Sequence, residues 1–446
     1  MPIVEFETST GQHLLINARR EATSILVDQK LTLNYDREGR LYSAWIEGRN
    51  YRRGLDNRVL EKQEGPHPGL SYRVRRELGP QEARQFLDAA YARVAAYHVG
   101  INDPATRIVN AAAPEDAQTV RDALARVLAC DVAQLERDRA IFHIIYKPIS
   151  ILPPDQYLAL VLQATEGCSH NQCAFCGFYR DRKFHVKSIG EFQNHIRDAR
   201  AFFGGGICLR KTIFLGDANA LIIPQYQLLP LFDAINAEFA IPPRHPERSA
   251  AQSKDAGDAQ SKDAGDALTE WKTQHPIHFE GIYSFIDAFA TRRKSARDFA
   301  ELAARGLKRV YVGLESGDTE LLRFLGKPNS PEDVLRLVAD VKAGGVAVGV
   351  IVLAGAGGEK YGENHVRRTV ALINALPLDQ SDLIYFSELV DYPRAEHSAL
   401  LHDAEIRPLT IGEIEHQMTL MRAGFRFRDL DHAPKTSYYD IREFIY

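Results

Sequence analysis

Cysteine is scarce, five residues in 446, so a disulfide-stapled secreted scaffold is excluded. Charge of one sign is not in excess either. The 55 Lys and Arg stand against 59 Asp and Glu, a net −4. That leaves neither the basic footprint of a nucleic-acid binder nor the polybasic patch of a protein held on an anionic membrane. Long hydrophobic runs are missing: the longest uncharged stretch, around Gly344 to Gly358, is too short and too rich in glycine to span a bilayer. The opening Met1-Pro2-Ile3-Val4-Glu5-Phe6-Glu7 lacks the basic and apolar regions of a secretory signal. These absences point to a cytoplasmic protein that meets small molecules or other proteins, with no nucleic-acid and no membrane partner. At 45% hydrophobic residues the chain is long enough for about two or three cores.

What is present divides into regions. Residues 1–75 carry short alternating runs, among them Val4 to Glu7, His13 to Ile16, Ser24 to Val27, Leu31 to Leu33 and Leu41 to Ile46, broken by Gly, Asp and Asn. This is strand chemistry, and Asp36-Arg37-Glu38-Gly39 predicts a hairpin turn, so a small antiparallel meander is expected there. Residues 76–150 change to a helical period, with Ala83, Phe86, Leu87, Ala90 and Val94 on one face and Val120, Leu124, Val127 and Leu128 on another. From 151 to 392 apolar runs alternate with helical segments: Leu158 to Leu162, Thr212 to Leu215, Ile277 to Ile282, Val310 to Leu314, Val346 to Leu353 and Leu383 to Phe386. Parallel strands buried on both faces read this way. The expected fold is α/β, a partial (β/α)6 TIM-like barrel preceded by an antiparallel β plus helical region. Chemistry is then sought after each run, at the carboxyl ends of the strands. The octad Ala251 to Asp258 repeats unchanged from Ala259 to Asp266, a polar unit with nothing to bury, so 248–268 is expected to be a disordered insertion. Residues 393–446 are expected to form a helical tail, with Ile411, Ile414, Met418, Leu420 and Met421 on one face.

Three of the five cysteines lie together, in Gly167-Cys168-Ser169-His170-Asn171-Gln172-Cys173-Ala174-Phe175-Cys176, directly after the first of these runs. In a reducing compartment a C-x4-C-x2-C cluster indicates a metal before it indicates disulfides. Structural zinc would need a fourth ligand, His170 or His185, and the usual second pair is missing. A plant-type [2Fe–2S] ferredoxin would recruit Cys208, although an α/β setting suits a small buried cysteine better. The third reading is a [4Fe–4S] cluster with one iron left open for a substrate or cosubstrate, and the position of the loop at the catalytic end of a barrel favours it.

Here the chain resembles the radical S-adenosylmethionine (radical SAM) superfamily, whose members carry three cysteines after the first strand of a partial (β/α)6 barrel and an aromatic residue just before the last, as Phe175 stands here. The usual spacing is C-x3-C-x2-C; the longer first gap is similar to a less characterised branch with Gly-Cys-Ser-x-Asn-x-Cys-x-Phe-Cys. The resemblance covers about residues 155 to 390. It implies Cys168, Cys173 and Cys176 as ligands of a [4Fe–4S] cluster and S-adenosylmethionine as cosubstrate. Gly216 and Asp217, in Leu215-Gly216-Asp217-Ala218-Asn219, stand where the family meets the methionine amino group. Glu315 and Ser316, in Val312-Gly313-Leu314-Glu315-Ser316-Gly317, are similar to a motif of the branch related to oxygen-independent coproporphyrinogen oxidase that binds the methionine or ribose portion. Ile351 lies in the strand that packs against adenine. Glu315 read without the family is a helix-capping acid, and Asp287 a cap for a helix starting near Thr291. Arg52 and Arg53 could reach an acidic substrate.

The resemblance also implies an oxidoreductase-type enzyme that generates a 5′-deoxyadenosyl radical, an unidentified small-molecule substrate, and an external electron donor of flavodoxin or ferredoxin type. With only Cys130 and Cys208 left over, an all-cysteine auxiliary cluster is not available. No Asp-x-His-x-x-Gly segment supports cobalamin, and Phe178 stands where the coproporphyrinogen oxidase has a further cysteine. The alternative outside this family is an iron–sulfur electron-transfer or sensor protein.

Overall fold

The computed structural model describes residues 2–65, 73–242, 277–289, 293–390, 394–427, 429 and 431–446; the octad repeat lies outside them. The chain forms two compact units. The first comprises Met1–Leu152, Arg197–Arg210 and Arg442–Tyr446, and the second Pro153–Ile196 and Lys211–Ile441.

In the first unit the alternating runs become β1 (Ile3–Glu7), β2 (His13–Ala18), β3 (Ala22–Val27), β4 (Leu31–Asp36) and β5 (Leu41–Ile46). The meander continues through β6 (Arg49–Arg53), β7 (Val59–Gln63) and β8 (Val74–Glu77). Three helices follow, α1 (Pro80–Asn102), α2 (Asp116–Leu128) and α3 (Val132–Ile145), and between the first two β9 (Arg107–Ala111) returns to pair antiparallel with β1. The sheet order is therefore β8-β7-β6-β5-β4-β3-β2-β1-β9. The segment 76–150 thus contains a strand that its helical periodicity did not announce, because Arg107–Ala111 is exposed along most of its length and carries no alternation. Val4, Phe6, Ile16, Leu33 and Tyr35 of the sheet bury against Leu87, Val94, Val120 and Leu124 of the helices in one shared core. At the β4–β5 turn Asp36 Oδ1 accepts from the backbone N–H groups of Glu38 and Arg40, and Gly39 takes φ +77°. A Cβ at Gly39 would stand 2.8 Å from the Arg126 carbonyl oxygen, so glycine also permits the close approach of α2.

In the second unit the apolar runs form parallel strands. They are β10 (Leu160–Gln163), β13 (Ile213–Gly216), β14 (Ile282–Ile286), β15 (Leu307–Glu315), β16 (Ala347–Ala354), β17 (Leu383–Glu388) and β18 (Lys435–Tyr439), while β11 (Thr165–Glu166) and β12 (His185–Val186) make a short antiparallel pair. The sheet runs in sequence order, β10-β13-β14-β15-β16-β17-β18. β10, β13 and β16 are buried at every residue, which is why they read as continuous apolar runs. Among the described residues the further helices are α4 (Ile189–Phe203), α5 (Gln225–Glu238), α6 (Ala296–Ala304), α7 (Thr319–Phe324), α8 (Pro331–Ala343), α9 (Gly358–Ala375), α10 (His397–Asp403) and α11 (Ile411–Gly424). Capping boxes start α6 at Ser295 and Asp298, α8 at Ser330 and Asp333, and α11 at Thr410 and Glu413.

Two expectations are corrected. The third strand begins at Ile282 rather than Ile277; residue His278 makes only an isolated parallel bridge to Ala240. Tyr283 and Ser284 therefore lie within the strand. The tail is not wholly helical, since Lys435–Tyr439 pairs parallel with β17 as a seventh strand. Its helix α11 is a packing helix as its period suggests, burying Ile414, Met418 and Met421 and leaving Ile411 and Leu420 exposed.

Candidate active site at the carboxyl ends of the parallel strands

The cysteine loop leaves β10 through β11 and returns through β12, whose pairings Thr165 to Val186 and Glu166 to His185 close its base. Backbone and side-chain bonds then hold the loop from several directions. Gly167 N–H donates to Asp217 Oδ2 at 3.1 Å, Ala174 N–H to the Leu325 carbonyl at 2.9 Å, Asn171 Nδ2 to the Tyr179 carbonyl at 3.0 Å and Arg180 Nη2 to the Cys173 carbonyl at 3.2 Å. His170 Nε2 sits 2.9 Å from the Gly326 carbonyl, and His185 is exposed beside Glu191. Among the described residues neither histidine gathers with the cysteines into a set of three or more ligands of the kind a zinc site needs.

All three cysteines of the loop are half-buried. Burial pushes them up, Cys173 to about 12 and Cys176 to about 11, with Cys168 raised less, and the nearby Lys327 ammonium pulls each in the opposite direction. Thiolates in such a place need a cation close by. Among the described residues no three His, Cys, Asp or Glu side chains gather tightly enough to share one metal ion. An iron–sulfur cluster has no need of that, because each thiolate takes its own iron. Cys208, the fourth ligand of the ferredoxin reading, lies in the 3-10 turn Gly204–Leu209 of the first unit and is half-buried rather than fully buried; Cys130 is buried in that unit's core.

Gly216 ends β13, its carbonyl accepting from Ala164 N–H, and the Gly216–Asp217 peptide is cis. Asp217 is buried and faces the loop: its N–H donates to Thr165 Oγ1 at 2.9 Å and its carboxylate takes the Gly167 N–H. Burial raises its pKa to about 6, against the pull of Arg182 at 3.8 Å. Asn219, two residues on, has no exposed surface and leaves Nδ2 without a partner.

Glu315 ends β15 with φ +58° and is 7% exposed. It caps nothing; Asp318 caps α7 by accepting from Glu320 N–H. Instead Glu315 Oε1 lies 3.3 Å from Lys327 Nζ, which also lies 3.3 Å from Asp287 Oδ1 at the end of β14. Asp287 thus faces Lys327; the helix start expected near Thr291 lies outside the described residues, and the next described helix is α6, from Ala296. Lys327 was not legible in the sequence, since its partners stand 12 and 40 residues away. A Cβ at Gly313 would stand 2.4 Å from Glu315 Oε1 and 3.0 Å from Lys327 Nζ, so the bare strand makes the room.

Ser316 turns inward. Its Oγ is 2.8 Å from His365 Nδ1 and accepts from Asp318 N–H, while Gly317 N–H donates to Thr369 Oγ1 and Arg368 pairs with Asp318 at 3.0 Å. His365, Arg368 and Thr369 are i, i+3 and i+4 on α9, one helical stripe that clasps the turn after β15. Ile351 is nearly buried in β16 opposite Gly313. Phe175 packs against the cluster of Leu321, Leu325, Leu353 and Ala356. Arg53 is buried in the first unit and bonded to the Leu41 and Gly54 carbonyls and Asn57 Oδ1, a structural residue rather than a substrate anchor.

These features define an α/β domain with a cysteine triad and a buried lysine–carboxylate group on loops after parallel strands. Residues 162–373, just under half of the chain, match the family model of the radical SAM superfamily. The cofactors of that enzyme superfamily are a [4Fe–4S] cluster and S-adenosylmethionine. Among solved structures, the chain is similar to coproporphyrinogen III oxidase (HemN) from Escherichia coli, a radical SAM enzyme, with 15% identity over 66% of this chain and 58% of that one at a TM-score of 0.37. It is similar also to the cobalamin-dependent S-adenosylmethionine radical enzyme OxsB, with 14% identity over 58% and 31% at 0.34. Methylornithine synthase (PylB) matches with 13% identity over 59% and 62% at 0.36. The chain spans less than two thirds of the length of each of these proteins. No curated protein matches the sequence. Among the described residues no helix is long and apolar enough to cross a membrane.

Proposed function

We propose that this chain is a radical SAM enzyme whose parallel strands curve into a partial (β/α)6 barrel and whose cysteine loop holds a [4Fe–4S] cluster through Cys168, Cys173 and Cys176. The observation that carries the reading is the half-buried cysteine triad on a loop pinned at the carboxyl ends of β10 and β13. When bound, the cluster and S-adenosylmethionine supply reductive cleavage of the sulfonium to a 5′-deoxyadenosyl radical, which abstracts hydrogen from a small-molecule substrate. The chain's own groups position and shield. Asp217 fixes the entry of the cysteine loop through Gly167, and the Gly216 backbone with the unpartnered Asn219 Nδ2 offers polar contacts to the methionine end of the cosubstrate. Glu315, anchored by Lys327, presents a carboxylate to its hydroxyl or amino donors. Ser316 acts on Glu315 through the α9 clasp, and Phe175 with Ile351 closes apolar surface against the adenine. An external flavodoxin- or ferredoxin-type donor in the cytoplasm supplies the electron.

The test is anaerobic reconstitution followed by electron paramagnetic resonance of the reduced protein with and without S-adenosylmethionine, and analysis of products. A changed cluster signal and release of 5′-deoxyadenosine and methionine are expected. A signal indifferent to S-adenosylmethionine and no cleavage would leave an electron-transfer or sensor protein. Methylthioadenosine as product would keep the cofactors and overturn the radical.

A further inference from the structure

The first unit carries a hollow that the chemistry of the second leaves unused. It has a volume of about 190 Å³, a floor of Ala18 and Ala123, and four arginines on its wall: Arg19 and Arg20 from the β2–β3 turn, Arg37 from the β4–β5 turn and Arg126 from the last turn of α2. The convergence is built into the fold. Because Gly39 has no side chain, the β4–β5 turn lies directly on the Arg126 backbone, which brings the Arg37 and Arg126 segments together.

The charge around the hollow is not balanced. Several other arginines of the same unit are paired, Arg58 with Asp56, Arg73 and Arg75 with Glu443, and Arg76 with Glu61 and Glu82, while among the described residues Arg137 on α3 bonds only the Gln134 side-chain oxygen. Among the described residues no carboxylate stands within ion-pair distance of Arg19, Arg37 or Arg126. The one acid on the wall, Asp36, is already engaged. Its Oδ1 accepts from two backbone N–H groups of its turn, and its Oδ2 lies 3.8 Å from Arg40, which in turn bonds Asp138 at 2.6 Å. Arg19, Arg37 and Arg126 thus bring positive charge to one hollow without a carboxylate at ion-pair distance, and an oxyanion could engage them through fork-shaped contacts.

We propose that this hollow binds a small molecule through a multivalent oxyanion group, either a phosphate monoester or a polycarboxylate. Its volume is below the roughly 300–1,000 Å³ of sites that enclose a drug-sized ligand, so it takes the anionic head and leaves the remainder outside. The N-terminal unit is on this reading an anion-recognition module, and the proposal does not depend on the radical chemistry.

The test is isothermal titration of the full-length protein with inorganic phosphate and, separately, with citrate, at constant ionic strength held by chloride. Saturable binding of one of them is expected, the preferred anion telling phosphate from carboxylate. Arg37→Ala and Arg126→Ala, both at exposed positions, should each weaken binding about tenfold or more, and the triple variant with Arg19→Ala should abolish it. Arg137→Ala on α3 should change nothing, and circular dichroism should be the same for all. Absence of saturable binding of either anion below about 10 mM, or binding that survives in the triple variant, would overturn the proposal.

Discussion

Lys327→Met tests the buried charge group at its centre. The ammonium is 8% exposed and 3.3 Å from each of two carboxylates, on the ends of adjacent strands. Its removal leaves Glu315 and Asp287 facing one another without their shared cation. Breaking a buried ion pair from one side costs about 3–5 kcal/mol. Because the Asp287 side chain is 16% exposed and can regain some water, the lower end, about 3 kcal/mol, is expected. At about 2–4 °C per kcal/mol for a unit of this size, the melting temperature should fall by about 6 to 12 °C. Its pH dependence follows from linkage. Burial already raises the Glu315 carboxyl above its ordinary 4.5 and Lys327 opposes the rise, so the folded pKa climbs further in the variant while the unfolded chain keeps the ordinary value. A carboxyl with a raised folded pKa destabilises the fold when ionised, above that pKa, and the loss is returned as pH falls through it toward 4.5. The deficit should therefore be largest at pH 7 to 8 and shrink on acidification, and Lys327→Met/Glu315→Gln should recover most of it. Urea unfolding of wild type and variants from pH 5 to 8, with and without the cluster, measures this. A deficit under about 1 kcal/mol at neutral pH, or one unchanged by pH, would refute the argument that these acids depend on the lysine.

Cys168→Ala, Cys173→Ala and Cys176→Ala should each abolish the cluster, while Cys208→Ala and Cys130→Ala keep about four irons per chain by iron assay; loss in the Cys208 variant would revive the ferredoxin reading. Glu315→Ala should leave iron content intact but lower S-adenosylmethionine affinity about tenfold to a hundredfold, the worth of a hydrogen bond to a charged group, read by titration of the cluster signal. Asp217→Asn keeps an acceptor for Gly167 N–H and should retain both cluster and cosubstrate affinity, whereas Asp217→Ala should lose cluster on dilution. With a folded pKa of about 6 against an ordinary 3.8, ionised Asp217 weakens the fold above pH 6, so the Asn variant should melt no lower than wild type at pH 8. Gly317→Ala would set a Cβ 2.3 Å from the Arg368 carbonyl and should cost about 1–3 kcal/mol in unfolding, disturbing Glu315 from behind.

The sequence by itself determined what depends on neighbours along the chain. Buried parallel strands such as Ala347–Ala354 announce themselves as unbroken apolar runs, the meander as alternation, and a cysteine triad within nine residues needs no fold to be singled out as a candidate ligand set. Even the α9 stripe of His365, Arg368 and Thr369 is a helical spacing that could have been read, had the turn it clasps been known. The tertiary structure decided what depends on pairing across the chain. Arg107–Ala111 and Lys435–Tyr439 become strands because β1 and β17 offer open edges to them, and five-residue segments such as these carry too little apolar alternation to announce that pairing. Lys327 joins the site because α7 returns it to the ends of β14 and β15, and Asp217 faces the cysteine loop rather than open space because β13 lies beside β10. Arg19, Arg37 and Arg126 share a hollow because a glycine lets a turn rest on a helix. Electrostatic contacts are fixed by distance in space, and that distance is set by sheet order and helix packing rather than by separation along the chain.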